Sequence, residues 1–371
     1  MSDLLVTTHT PMLRTGQTLR TYGVARALAA ASGGLTLLYA RFEGEAPDEA
    51  FASIPGIELR EVIASRGPRR LLAYAAARAR GVPDGFARGV SPELAAEAAR
   101  LAAAPGRGRV VADGPIAMAA LDGLARRRAV VYNAHNIESA FRHELAEESG
   151  GRALRRFERK LLACASECWM VSEPDMQAAA ELCPGARLRY VPNVVDVSAI
   201  SPVGGRAPEP RAVFVANFAY EPNLNGMAFL LEKVFPLVWA ELPDARLMLV
   251  GGGLDASPSQ DPRIEAVGFV PDLRAAYASA RCAVVPLLQG GGTPLKFVEA
   301  LAYGLPVLAT PRAAAGLEVS DGVDCLLAGD ATSFAAKLVA VLRDGAPELG
   351  ARGRALALER YSIEALTRAL A

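Results

Sequence analysis

Residues 290–310, "GGGTPLKFVEALAYGLPVLAT", follow an apolar segment, "CAVVPL", and themselves read as loop, helix and a short apolar run. Strand, helix and strand in that order build a parallel sheet flanked by helices. Gly290, Gly291 and Gly292 let the backbone pass close to a ligand and adopt positive φ. Pro294 suits the first helical turn, where its missing N–H costs nothing, so a helix is expected over 294–303. Gly304 ends it ahead of Pro306. The start of such a helix offers free amides and the positive end of a dipole, which is an anion site. Lys296 falls in that first turn, where a cation opposes the dipole, and a bound anion resolves the conflict. Glu299 follows one turn later on the same side and can accept hydrogen bonds from two neighbouring hydroxyls, as on a ribose. The plainer alternative is a solvated Lys296–Glu299 pair on a surface helix.

The same alternation runs outward in both directions. Apolar strand patterns are expected at 3–8, 34–40, 109–113 and 129–135, then at "CWMVS", "LRYVPN", "AVFVAN", "ARLMLV" and "IEAVGFV". Helical patterns lie between them, near 69–80 and 92–103 and over 138–166 with a break at Gly150-Gly151. At 371 residues the chain has room for two domains. "SAISPVGGRAPEPR", rich in Pro, Gly and Ser, reads as the linker between them. The expectation is α/β, with two Rossmann-like doubly wound domains facing a central cleft. Residues 1–198 form the first domain and 199–355 the second. A C-terminal helix over 356–371 packs back on the first domain. Ligands of such sheets bind beyond the carboxyl ends of the strands.

Composition narrows the function classes. Lys+Arg and Asp+Glu balance at 40 each, and no aromatic-basic stripe marks a nucleic-acid surface. No run of 18 apolar residues suggests a membrane span, and "MSDLLVTTHTPMLRTG" reads as a strand and turn rather than a secretory leader. Cys164, Cys168, Cys183, Cys282 and Cys325 form no C-x-x-C pair and are expected as reduced thiols, so the chain is expected in the cytoplasm. Only four of the basic residues are lysines, and Lys296 is one of them.

Several stretches together resemble retaining glycosyltransferases of the GT-B fold, in the nucleotide-sugar group called family four. They are "TPMLRTGQTLRTYGVARAL", "YNAHN", "VSEPD", "YVPNVVD", "VGFVPDLRAAYASARCAVVPL" and the 290–310 stretch. The resemblance implies hexosyl transfer from a nucleoside diphosphate sugar to a carbohydrate, lipid-linked or small-molecule acceptor, with retention. It implies that Gly16 approaches the donor diphosphate and that Val270 touches the base through its backbone. By the same likeness Gly292, Thr293 and Leu295 lie along the phosphates, Lys296 supplies charge there, and Glu299 holds the ribose. His135 matches the strand-end histidine beside the transferred sugar.

The sequence departs from that family pattern twice. The first glutamate of its E-x7-E pair falls at Gly291, and the basic phosphate motif expected after residue 216 reads "ANFAYEPNLNG", without Arg or Lys. These departures keep two other readings open: a catalytically silent nucleotide-sugar binder, and a sugar-nucleotide 2-epimerase using Asp113 and Glu138 as acid and base. There is no D-x-D pair and no His-carboxylate cluster, so no metal or other cofactor is expected. His9 also follows a strand and can face the same cleft, whereas His143 is expected on a helix surface. "LVGGG" lacks the full dinucleotide fingerprint spacing. The basic segment 152–160 is expected as a solvated face, with weak docking to anionic lipid as the alternative.

Overall fold

The computed structural model describes residues 1–41, 44, 46–141, 150–203, 207–254, 258–290 and 293–371. They form two compact units, Met1–Asn193 with Leu366–Ala371, and Val194–Ala365. The expected helix-surface position of His143, and the glycines Gly291 and Gly292, lie outside the described residues.

The first unit carries a seven-stranded sheet of β1 (Ser2–Thr7), β2 (Leu35–Arg41), β3 (Ile57–Ile63), β4 (Arg107–Asp113), β5 (Val131–Asn133), β6 (Glu167–Met170) and β7 (Leu188–Tyr190). Its order is β3-β2-β1-β4-β5-β6-β7, and every pair is parallel. Leu4, Leu5 and Val6 of β1 are wholly buried, as a strand covered by helices on both faces requires. The first helix, Gly16–Ser32, starts from a capping box in which Thr15 and Thr18 bond each other's backbone amides. It stops at Gly33, whose φ of 73° is a left-handed turn that a side chain would resist.

The second unit repeats the plan with β8 (Arg211–Val215), β9 (Arg246–Val250), β10 (Ile264–Gly268), β11 (Cys282–Val285), β12 (Val307–Ala309) and β13 (Leu326–Leu327). Its six parallel strands run in the order β10-β9-β8-β11-β12-β13. The helix from the opening stretch covers Leu295–Ala302 and buries Phe297, Val298, Ala300, Leu301 and Ala302 in the sheet's core. Removing the Phe297 ring would cost about 3–5 kcal/mol.

In each sheet the chain first winds one way and then returns beside its starting strand. The reversal falls between β1 and β4 in the first unit and between β8 and β11 in the second. The crevice beyond the strand ends at such a point is where an open α/β sheet binds its ligand.

The units divide between Asn193 and Val194, five residues before the boundary expected from composition. The Pro- and Gly-rich stretch marks the wrong place because Val194 and Val197 ahead of it are buried, and the Val195 amide bonds the Tyr361 carbonyl at 3.0 Å. No helix begins at 356: one spans Pro347–Arg360 and a second Ile363–Leu370. Leu366–Ala371 belongs to the first unit, where Arg109 donates to the Leu370 carbonyl at 2.5 Å and Arg189 to that of Ala369. All five cysteines are free thiols, and burial pushes Cys168, Cys282 and Cys325 up to about 12.

Candidate functional site

At the switch point of the second unit, the loop after β11 turns through Gly290, at φ +111°, into the helix Leu295–Ala302. Pro294 is the cap of that helix and not part of its first turn. Proline has no side chain able to accept from the leading amides, and no side-chain cap is made. Thr293 is buried with its hydroxyl donating to the Gly316 carbonyl at 3.2 Å, so its side chain is turned inward.

Lys296, the second residue of the helix, is partly buried. Its ammonium donates to the Asn223 side-chain oxygen and stands 5.3 Å from the centre of the Phe214 ring. Burial pulls its pKa down from 10.5 to about 7. Glu299, one turn on, is pushed by burial up to about 7, against the hydrogen bond it accepts from Tyr277 at 3.4 Å. Lys296 and Glu299 are therefore no solvated pair: each holds a neutral partner from another element. Asn223 is itself buried and fixed, its amide donating to the Asn217 carbonyl at 2.6 Å. It belongs to "ANFAYEPNLNG", the segment that lacks Arg and Lys.

Neighbouring loops lock this corner. A Cβ on Gly251 would fall 1.8 Å from the Ala216 carbonyl oxygen, and one on Gly253 would fall 2.4 Å from the Ala219 nitrogen. Two of the three glycines of "LVGGG", Gly251 and Gly253, thus let the loop after β9 pack against the loop after β8. Val270, just past β10, packs partly buried on the core, beside Phe269, which is 77% exposed.

The first unit's switch point holds a second polar cluster. Asp113, at the end of β4, is buried, with its side chain at 0% exposure. Its carboxylate lies 2.9 Å from His135 Nε2, 2.7 Å from the Asn133 amide and 2.6 Å from the Thr21 hydroxyl. Burial alone pushes this carboxyl up, but the contacts with His135, His9 and Thr21 outweigh it and hold the group well below the usual range. Gly114, at φ +84°, sits so close to the His135 ring that a Cβ would stand 3.0 Å from Cε1. The His135 side chain keeps 13% exposure, and among the described residues its Nδ1 has no partner. A histidine held at one nitrogen by a buried carboxylate presents the other in a fixed direction and tautomer.

His9 joins the same cluster through hydroxyls, with Nδ1 3.0 Å from Thr7 and Nε2 3.2 Å from Thr21, and burial lowers its pKa. Arg20 is buried and donates to Asn133 at 2.5 Å, to the Val191 carbonyl at 2.9 Å and to Asn193 at 3.1 Å. It is committed to the interior of the unit. Gly16 is exposed, with open space where a Cβ would stand. In the basic segment 152–160, Leu154 and Phe157 are buried while Arg152, Arg155, Arg156 and Arg159 are exposed.

Residues 209–344 match the family model described as Glycosyl transferases group 1. A phosphatidyl-myo-inositol mannosyltransferase of Mycobacterium leprae (strain TN) is 32% identical over 169 residues, 42% of this chain and 44% of that protein. The chain spans less than half the length of the curated relatives it matches. Among solved structures, sucrose-phosphate synthase from Thermosynechococcus elongatus superposes with a TM-score of 0.73 at 18% identity, over 100% of this chain and 97% of that one. Anabaena HepE, solved in complex with UDP and glucose, gives 0.70 at 14% identity over 99% and 97%. These likenesses establish the fold as that of the GT-B glycosyltransferases.

Proposed function

We propose that the chain is a retaining hexosyltransferase that moves a sugar from a nucleoside diphosphate sugar to an acceptor hydroxyl. The observation that carries this reading is Lys296: a partly buried ammonium without a carboxylate partner among the described residues, at the start of a helix whose cap residue cannot serve the leading amides. A diphosphate satisfies the ammonium and the dipole together. In this reading Thr293 and Leu295 supply backbone contacts, Glu299 holds the ribose, Val270 lies along the base, and Gly16 and Gly292 approach the donor. The match of residues 209–344 and the UDP bound by HepE support it.

As the bond to the sugar breaks, charge grows on the leaving diphosphate, and Lys296 with the helix amides stabilises it. No metal enters this scheme. His135, held by Asp113, is assigned the role of orienting a hydroxyl of the transferred sugar through Nδ1. The acceptor is a carbohydrate, a lipid-linked sugar or a small molecule, and we place the chain in the cytoplasm; no helix among the described residues is long and apolar enough to cross a membrane.

The epimerase reading loses ground because Asp113 is buried and committed to His135, Asn133 and Thr21. A silent donor-binding subunit is favoured by both departures from the family pattern, the glycine at position 291 where the resemblance expects glutamate and the segment "ANFAYEPNLNG" without Arg or Lys. A thermal-shift screen with nucleoside diphosphates and their sugars tests donor binding. A ligand at about 100 times its Kd adds about 2.7 kcal/mol. Transfer or slow donor hydrolysis by the purified chain then separates the enzyme from the silent binder.

A further inference from the structure

The helix Gly67–Ala79 turns its apolar side outward. Of its residues only Ala77 is buried. At 100° per residue, Pro68, Leu71, Leu72, Ala75, Ala76 and Ala79 share one face, and all six are exposed. Leu71 is 68% and Leu72 71% exposed, and Ile63 at the end of β3 is 63% exposed. Arg69 and Arg78 border this face on its two sides, while Arg66 and Arg80 stand just beyond the helix ends. Residues 65–81 contain no Asp or Glu. The acids packed nearby are engaged: Asp84 pairs with Arg88 at 3.3 Å and accepts from Tyr74, and Glu93 accepts from Ser65 and from Ser91 at 2.8 Å.

An ordinary surface helix points its apolar stripe at the core and its charges at water. This one turns an apolar face to water, with exposed arginines along both of its margins, the pattern of a helix lying in the plane of a membrane interface. We infer that Gly67–Ala79 docks on an anionic lipid surface, with Leu71 and Leu72 entering the acyl boundary and the arginines meeting headgroup phosphates. The charge pattern argues for lipid over a second copy of the chain, since an identical face would set arginines against arginines. The segment 152–160 lacks the apolar half of the device, because Leu154 and Phe157 face inward.

The test uses the full chain and no catalysis, so it stands apart from the transfer reading. Co-sedimentation compares vesicles of phosphatidylcholine alone with vesicles carrying about one third phosphatidylglycerol. Binding is expected only to the anionic vesicles and should weaken with salt. The Leu71→Glu/Leu72→Glu variant should lose at least about tenfold in partition coefficient, and Leu71→Gln/Leu72→Gln a similar amount. Arg155→Ala/Arg156→Ala should leave binding unchanged. Leu72→Trp should add a blue-shifted emission with anionic vesicles, over the wild-type signal. Failure of the wild type to bind anionic vesicles overturns the inference, as does equal binding to neutral ones or full binding by both leucine pairs of variants. A wild-type dimer that these variants dissociate, without vesicle binding, assigns the face to a second copy instead.

Discussion

His135 Nε2 rests 2.9 Å from Asp113 Oδ1, and Asp113 is buried beneath it with its other oxygen held by Thr21. The pair comes from the ends of two adjacent strands, β4 and β5. Asp113→Asn keeps the volume but removes the charge that fixes the proton on Nε2. Turnover should fall about tenfold or more while the donor's binding constant changes little, since the assigned contact acts at the reacting sugar. Nitrogen NMR of the His135 ring should show the tautomer shift in the same variant. An unchanged ring spectrum would return Asp113 to a packing role, and unchanged turnover with a shifted ring would remove His135 from the reaction.

The same carboxylate links the fold to acid. Its pKa is depressed in the folded chain, so its stabilisation is complete above the unfolded value and is lost as the pH falls below about 4. Asp113→Ala should destabilise the chain by about 3 kcal/mol at pH 7, because it strips His135, Asn133 and Thr21 of one shared partner. Urea unfolding of the wild type and the variant should converge at low pH.

A second pH signature lies in the other unit. Glu299 is raised from 4.5 to about 7, so the folded chain holds a proton there that the unfolded chain releases, and stability should fall between pH 4.5 and 7. Lys296 is lowered from 10.5 to about 7, so the unfolded chain binds the extra proton, and stability should rise between pH 7 and 10.5. Glu299→Gln should flatten the first slope and Lys296→Met the second in urea midpoints measured across that range. Slopes that survive both substitutions would mean that the two groups are fully hydrated.

Much of this fold was legible because its signals are local. Central strands covered on both faces read as unbroken apolar runs, and the loop, Lys296 and Glu299 lie within ten residues of one another. The partners were not legible, because they are set by strand order. Asn223 lies 73 residues before Lys296 and reaches it only because β8 pairs with β11. Asp113 could be read as a strand-end acid, but its bond to His135 follows from the β4–β5 register. The helical pattern near 69–80 was visible, yet periodicity cannot say which face of a helix meets the core.

Metal dependence gives a clear contrast. The proposed charge handling uses an ammonium and helix amides, and among the described residues no group of three or more His, Cys, Asp or Glu is placed to hold a metal ion. Activity should survive excess chelator at the full rate. Complete loss, restored by Mg²⁺ or Mn²⁺, would assign the diphosphate to a metal instead.

The strongest prediction concerns Lys296 itself. In the unliganded chain burial brings its pKa to about 7, so at pH 8 much of it is neutral. A diphosphate beside it favours the charged form, so binding a nucleotide sugar should take up a proton. The sugar-linked diphosphate has no group titrating near neutrality, which makes it the cleaner ligand for this measurement. Calorimetry in two buffers of different ionisation enthalpy should show an uptake that shrinks as the pH falls below about 7. Lys296→Ala should abolish the uptake and lower turnover about tenfold to a few hundredfold, the loss of one hydrogen bond to a charged group of about 1.5–3 kcal/mol. Lys296→Arg should restore only part of the rate, because a planar fork cannot take the place of a compact ammonium held by Asn223 over the Phe214 ring. A wild-type chain that binds the donor without proton uptake at pH 8 would place the diphosphate elsewhere, and near-normal turnover by Lys296→Ala would remove the lysine from the mechanism.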